Sequence, residues 1–157
     1  EMNDLQKTHF VSRSVLSLLS RGWQVQTIIN SMFNTVQGKK ICILGFAFKK
    51  DTGDTRETAA LSVCAQLMHD GALLHVYDPQ VTREQALLEF SDHDMSFDFD
   101  NQFVTAVDPS SAARDSHAIV VLTEWDMFKD LPYEEYFKTM IKPAFIFDGR
   151  NILNHQK

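Results

Sequence analysis

The chain has 157 residues and 44% hydrophobic composition, enough for one domain with its own core and too few for two ordinary domains. Its formal net charge of −6 disfavours a nucleic-acid-binding surface, which requires a basic face. The two cysteines lie in apolar runs, which predicts buried, reduced thiols and a cytoplasmic location. The sequence shows no signal-peptide pattern and no apolar stretch of membrane length, so no membrane span is predicted.

Residues 1–38 have the apolar spacing of a helix. One stripe runs from Phe10 to Leu19 and a second from Val25 to Val36, at intervals of three and four residues. Gly22 lies between the stripes, so one helix and two helices are both compatible with the pattern. With no strand of its own, this segment packs either on the following sheet or against a partner subunit or another domain.

From Lys39 onward, short apolar runs alternate with helical patterns, which is typical of a parallel sheet with crossover helices. The predicted strands cover residues 40–45, 73–77, 102–106, 118–122 and 144–147. The predicted helices cover residues 55–69, 82–90, 109–114 and 133–140. Asp54 and Glu57 form a capping-box-like start for the first helix and Gly71 its stop, while 91–101 read as a surface loop. The predicted fold is α/β: a Rossmann-like, doubly wound, mostly parallel sheet preceded by helix.

The loop after the first of these strands, residues 45–57, is rich in candidate ligands. A dinucleotide fingerprint needs three closely spaced glycines, whereas this loop has only Gly45 and Gly53. Lysine and arginine side chains would have to grip phosphate instead, and Lys49, Lys50 and Arg56 are available. Phe46 and Phe48 could stack on a base or sugar, although core packing is favoured for Phe46.

The last predicted strand delivers Asp148, Gly149 and Arg150 at its carboxyl end. In a parallel sheet this end shares an edge with the 45–57 loop. A guanidinium there can bind phosphate through two hydrogen bonds, but Arg150 could equally pair with Asp51 or Asp54.

Other polar residues give weaker signals. Asp78 lies where dinucleotide folds keep a ribose-binding acid, but an Asp-Pro pair after a strand favours an ordinary turn. Trp125 is interpreted as a packing anchor. The six histidines lack metal-ligand spacing, so no metal site is predicted, and no serine or cysteine has a nucleophile context.

Several segments together resemble UDP-glucose 6-dehydrogenases. Residues 41–57, 76–79, 123–126 and 142–150 are similar to successive blocks of that family's C-terminal, UDP-binding domain, and residues 2–6 and 10–13 to the helix that joins its two halves. The resemblance implies a linking helical segment at 1–38, with extra sequence at about 14–27. It implies a UDP-sugar-binding α/β domain at 39–157.

In that family the residues matching Phe48, Lys49 and Arg150 bind the UDP-sugar, and the residue matching Arg56 reaches the NAD cofactor. The resemblance therefore implies UDP-glucose or UDP-glucuronate as ligand, a homo-oligomer, and an N-terminal NAD-binding domain that this sequence lacks. No catalytic residue is expected here, so the fragment alone should be inactive. The alternative is a non-catalytic nucleotide-binding or oligomerisation module.

Overall fold

Six strands form a single sheet in the computed structural model, which describes residues 10–14, 28–47, 59–92 and 97–148. The strands are β1 (Phe10–Ser14), β2 (Lys40–Leu44), β3 (Leu73–Tyr77), β4 (Phe103–Thr105), β5 (Ala118–Val121) and β6 (Ala144–Asp148). They lie in the order β1-β6-β5-β2-β3-β4, and every neighbouring pair is parallel. The predicted parallel sheet is confirmed, and its five predicted strands correspond to β2–β6.

Helices cover both faces of the sheet. They are α1 (Ala59–His69), α2 (Arg83–Asp92), α3 (Phe99–Gln102), α4 (Pro109–Ala113) and α5 (Tyr133–Thr139), with a 3₁₀ helix at Asp126–Lys129. Residues 41–44 of β2 are all apolar because they are buried on both faces of the sheet. Ile41 and Ile43 join the core under α1 and α2, whereas Cys42 and Leu44 join the core under α4 and α5. The doubly wound prediction is therefore confirmed.

The end of α1 follows the predicted chemistry. Gly71 has a φ of +92° and its N–H donates to the Met68 carbonyl at 2.9 Å. A left-handed glycine just beyond the last turn is the common way to stop a helix. The Asp54 and Glu57 cap lies outside the described residues.

The helical prediction is wrong for Phe10–Ser14. These residues form β1, which pairs with β6 in register from Phe10 with Ala144 to Ser14 with Asp148. A segment of five residues is too short to be assigned to helix or strand by spacing alone, and pairing here satisfies backbone groups along one side of β6. Residues 28–31 are helical as predicted. The 14–27 insertion lies outside the described residues except for Ser14, and the boundary at residue 38 stays a prediction.

The prediction of a surface loop at 91–101 is wrong in part. Phe97 and Phe99 pack against the core, and the Phe90 ring lies 5.1 Å from that of Phe99 and 5.4 Å from that of Phe103. Each aromatic pair of this kind contributes about 0.5–1.5 kcal/mol beyond the area it buries. Apolar burial therefore overrides the loop-like composition of residues 97–101.

Candidate functional site

The carboxyl ends of four adjacent strands lie level with one another. Leu44 of β2 pairs with Tyr77 of β3 on one side and with Val121 of β5 on the other, and Val121 pairs in turn with Asp148 of β6. Because neighbouring strands are about 4.8 Å apart, Leu44 and Asp148 are separated by roughly 10 Å. The loops that follow β2, β5 and β6 therefore start side by side.

This row contains the point where the strand order reverses. The chain passes from β2 to β3 and β4 on one side, then returns to β5 on the other side of β2. In open α/β sheets, ligands bind outside the carboxyl ends of the strands at such a switch point. The topology therefore places the candidate site at the ends of β2, β5 and β6.

Gly45, the first residue after β2, is pressed against the loop that follows β5. Its φ is +102° and its N–H donates to the Tyr77 carbonyl at 2.8 Å. A Cβ at this position would lie 2.4 Å from the Thr123 Cβ and 2.7 Å from the Thr123 backbone nitrogen. Only glycine fits, because a side chain would collide with a neighbouring backbone as well as strain φ.

Asp78, at the end of β3, ties three loops together. Its Oδ2 accepts hydrogen bonds from the Phe46 N–H at 2.7 Å, the Ala47 N–H at 3.0 Å and the Trp125 indole Nε1–H at 3.1 Å. Its Oδ1 accepts from the Gln80 N–H at 2.8 Å. The predicted turn is confirmed by the contact with Gln80, whereas sequence reasoning missed the contacts across the loops.

Thr123 holds the same loop from the opposite side. Its side chain is fully buried, and Oγ1 donates to the Ala47 carbonyl at 2.9 Å. Trp125 is only 7% exposed, which confirms its role as a packing anchor. The N–H groups of Phe46 and Ala47 and the Ala47 carbonyl are thus bound by side chains that follow β3 and β5.

The remaining residues near the site are structural. Phe46 is completely buried, with its ring 5.8 Å from that of Phe103, so the core interpretation is confirmed. Cys42 and Cys64 are buried free thiols as predicted, and burial raises the pKa of each. Such thiols are poor nucleophiles, because the thiolate is the reactive form.

Asp148 marks the end of β6 and is fully buried. Below it, the Tyr133 hydroxyl donates to the Phe128 carbonyl. Burial raises the pKa of Tyr133, and the nearby Cys42 and Asp148 raise it further, so this phenol stays protonated. Tyr133 is therefore a neutral hydrogen-bond donor at this position and carries no charge near Asp148.

The four predicted ligand residues, Phe48, Lys49, Arg56 and Arg150, lie outside the described residues. Their contacts stay predictions, but their starting points are defined. Phe48 and Lys49 follow directly from Ala47, while Arg150 follows Asp148 by two positions, and both loops leave the same edge of the sheet.

Two classes of feature are absent from the part of the chain that the structure describes. No three His, Cys, Asp or Glu side chains come together there in a way that could hold a metal ion. Within the same residues, no helix has both the length and the apolar character needed to cross a bilayer.

Comparison with known proteins identifies the family of this chain. Residues 42–155 match the model for the UDP-glucose/GDP-mannose dehydrogenase family, UDP binding domain. UDP-glucose 6-dehydrogenase from Gallus gallus is 50% identical over 158 residues, covering 98% of this chain and 29% of that protein. UDP-glucose 6-dehydrogenase 4 from Arabidopsis thaliana is 48% identical over 170 residues, covering all of this chain and 32% of that protein. The chain thus spans less than a third of these relatives.

Solved structures agree with the fold. A UDP-glucose dehydrogenase from the hyperthermophilic archaeon Pyrobaculum islandicum matches 82% of this chain and 26% of its own, with a TM-score of 0.62 and 23% identity. NDP-N-acetyl-D-galactosaminuronic acid dehydrogenase from Methanosarcina mazei matches 84% of this chain and 25% of its own, with a TM-score of 0.64 and 23% identity. At this identity they support the Rossmann-like architecture and nothing finer.

Proposed function

This chain belongs to the UDP-glucose/GDP-mannose dehydrogenase family and corresponds to its UDP-binding domain, and on that premise we propose that it is the UDP-sugar-binding part of an NAD-dependent UDP-glucose 6-dehydrogenase. The complete enzyme would oxidise UDP-glucose to UDP-glucuronate. In this proposal the domain binds and orients the nucleotide end of the substrate. Binding energy spent there places the sugar for reaction in the rest of the enzyme.

The level ends of β2 and β6 carry this proposal. Lys49 lies five residues beyond Leu44, and Arg150 lies two residues beyond Asp148, with only β5 between the two strands. Two long cationic side chains that start from one edge can meet the same diphosphate. A chain with a net charge of −6 needs such local cations to bind a polyanion. Arg150 supplies a planar fork for phosphate oxygens, and Phe48 supplies an apolar surface for the uridine or sugar.

The described residues at the switch point of this domain are not suited to binding NAD. The backbone N–H groups of Phe46 and Ala47, which would face a pyrophosphate there, already donate to Asp78. We therefore place NAD, which would accept hydride from the sugar, on a further domain, with Arg56 reaching it across the cleft between domains. The complete enzyme in this proposal is a cytoplasmic homo-oligomer.

Calorimetric titration of the 157-residue chain with UDP and with NAD tests the proposal. We expect detectable UDP binding, and loss of a charge-assisted hydrogen bond in Lys49→Ala or in Arg150→Ala should weaken UDP affinity by about 1.5–3 kcal/mol, roughly ten- to a hundredfold. Lys138→Ala is a charge-matched control, because Lys138 is exposed on α5 and pairs with Glu135 at 3.5 Å. Tight NAD binding without UDP binding would refute the assignment.

A non-catalytic module is the alternative function for this domain. In that case the domain would bind nucleotide or support oligomerisation without an oxidising partner. The encoded sequence upstream of Glu1 separates the two possibilities. A glycine-rich dinucleotide motif and a cysteine-bearing segment there support the enzyme, and their absence supports the module.

A further inference from the structure

The start of the loop after β2 has the arrangement of an anion-binding site. Gly45 adopts a positive φ, and the next two N–H groups, from Phe46 and Ala47, both donate to a single oxygen at 2.7 and 3.0 Å. Successive N–H groups in this arrangement form a concave site for anions. In dinucleotide-binding folds the corresponding loop holds the pyrophosphate.

Here the anion is the chain's own Asp78 carboxylate. Asp78 follows β3, on one side of β2, and the same Oδ2 accepts from the indole of Trp125, which follows β5 on the other side. The bond between carboxylate and indole therefore crosses the end of β2. The N–H groups of Phe46 and Ala47 are therefore already occupied and are not available to an external phosphate.

We propose that Asp78 is a positioning residue for the loop that carries Phe48 and Lys49, and that it takes the place a nucleotide phosphate has in a dinucleotide-binding domain. This inference rests on the proposed function. Asp78 fixes the N–H groups of Phe46 and Ala47, and Thr123 fixes the Ala47 carbonyl. The backbone immediately before Phe48 is therefore bound from both sides.

The role requires a carboxylate rather than merely a polar group. Oδ2 receives three donors and Oδ1 a fourth, which fills the acceptor capacity of an ionised aspartate. Asparagine keeps the shape but has a single acceptor oxygen, and its amide N–H₂ would face either the loop donors or Gln80. In either orientation Asp78→Asn loses at least one of these bonds and removes the negative charge from the others, so it should weaken the hold on the loop while leaving the surrounding packing in place.

The test combines UDP titration with amide hydrogen exchange. In Asp78→Asn, exchange at Phe46 and Ala47 should accelerate while Gly45, bound to the Tyr77 carbonyl, stays protected. UDP affinity should fall about tenfold in the folded protein, the usual effect of losing charge-assisted hydrogen bonds. In a Lys49→Ala background the same substitution should cost less than about threefold, because residues that act as a unit are not additive.

Asp108→Asn is the matched control. The Asp108 carboxylate accepts from the Ser111 N–H at 2.8 Å and the Ser111 hydroxyl at 2.7 Å at the start of α4. It holds a local turn, as Asp78 does, but neither of these bonds reaches residues 45–47. UDP affinity and exchange at Phe46 and Ala47 should stay at wild-type values.

The outcomes separate the two proposals. If the wild-type chain fails to bind UDP, the proposed function falls. If the wild type binds UDP and Lys49→Ala weakens it, but Asp78→Asn changes neither affinity nor exchange, the function stands and the positioning role is refuted. The positioning role is also refuted if the losses in UDP binding free energy caused by Asp78→Asn and Lys49→Ala are fully additive in the double variant. If Asp78→Asn fails to fold, Trp125→Phe replaces it, because it removes the indole donor to Asp78. This variant should weaken UDP binding about two- to threefold. Unchanged UDP affinity in Trp125→Phe would refute the inference.

Discussion

Replacing Gly45 with alanine tests whether the loop after β2 depends on close backbone contact. The new Cβ would lie 2.4 Å from the Thr123 Cβ, 2.5 Å from its Oγ1 and 2.7 Å from its backbone nitrogen. A rotamer change in Thr123 cannot relieve the contacts with Cβ and backbone. The φ of +102° adds strain, because L-residues avoid this region.

The two contributions give the expected magnitude. Positive φ costs an alanine about 1–2 kcal/mol. Forcing extra volume into a packed site costs typically about 1–3 kcal/mol. The free energy of unfolding should therefore fall by about 2–5 kcal/mol, which lowers the Tm of a domain of this size by roughly 4–20 °C.

Urea unfolding of Gly45→Ala and Gly38→Ala separates strain from collision. Gly38 has a φ of +74°, but no atom lies within 4 Å of the position that a Cβ would take there, so its alanine variant should lose only the strain, about 1–2 kcal/mol. The difference between the variants measures the collision with Thr123. Equal losses in the two variants would refute the idea that Gly45 is required by the neighbouring loop.

Two further predictions follow from titratable groups that are half-buried or buried. Burial, together with nearby lysine charge, lowers the pKa of His75 and of His117 below the ordinary value of about 6.5. The unfolded chain therefore binds more protons, and stability measured by urea unfolding should decline as pH falls below about 6.5, with no such decline in a His75→Gln, His117→Gln double variant. Burial also raises the pKa of Cys42 and Cys64, so a thiol reagent should modify neither in the native protein and both in urea; rapid native labelling would contradict their placement.

The sheet could be predicted because burial on both faces leaves a strong sequence pattern. The strand predicted at 73–77 matches β3 at both ends. The predicted strands that correspond to β2, β5 and β6 each differ from the structure by one residue at one end. Strand β1 could not be predicted in the same way. Five residues next to a longer helical pattern carry no decisive period, and the pairing partner of β1 is more than a hundred residues away.

The sequence predicted which edge of the sheet carries the candidate site, but it did not predict the hydrogen bonds within that site. Parallel strands place the loops after β2 and β6 on one edge, so their proximity follows from topology. The bonds from Asp78 to Phe46, Ala47 and Trp125 depend on loop conformations that local spacing does not encode. The Asp-Pro pair predicted only the local turn, in which the Asp78 carboxylate accepts from the Gln80 N–H.

The common level of Leu44, Val121 and Asp148 limits how this domain can change in length. One residue added inside β6 would move the end of that strand by about 3.3 Å and turn each later β6 side chain to the opposite face of the sheet. A deletion inside β2 would shift the end of β2 in the same manner. Length variation among homologues should therefore concentrate in connections at the opposite, amino-terminal edge, where it leaves the carboxyl ends of β2 and β6 level with each other.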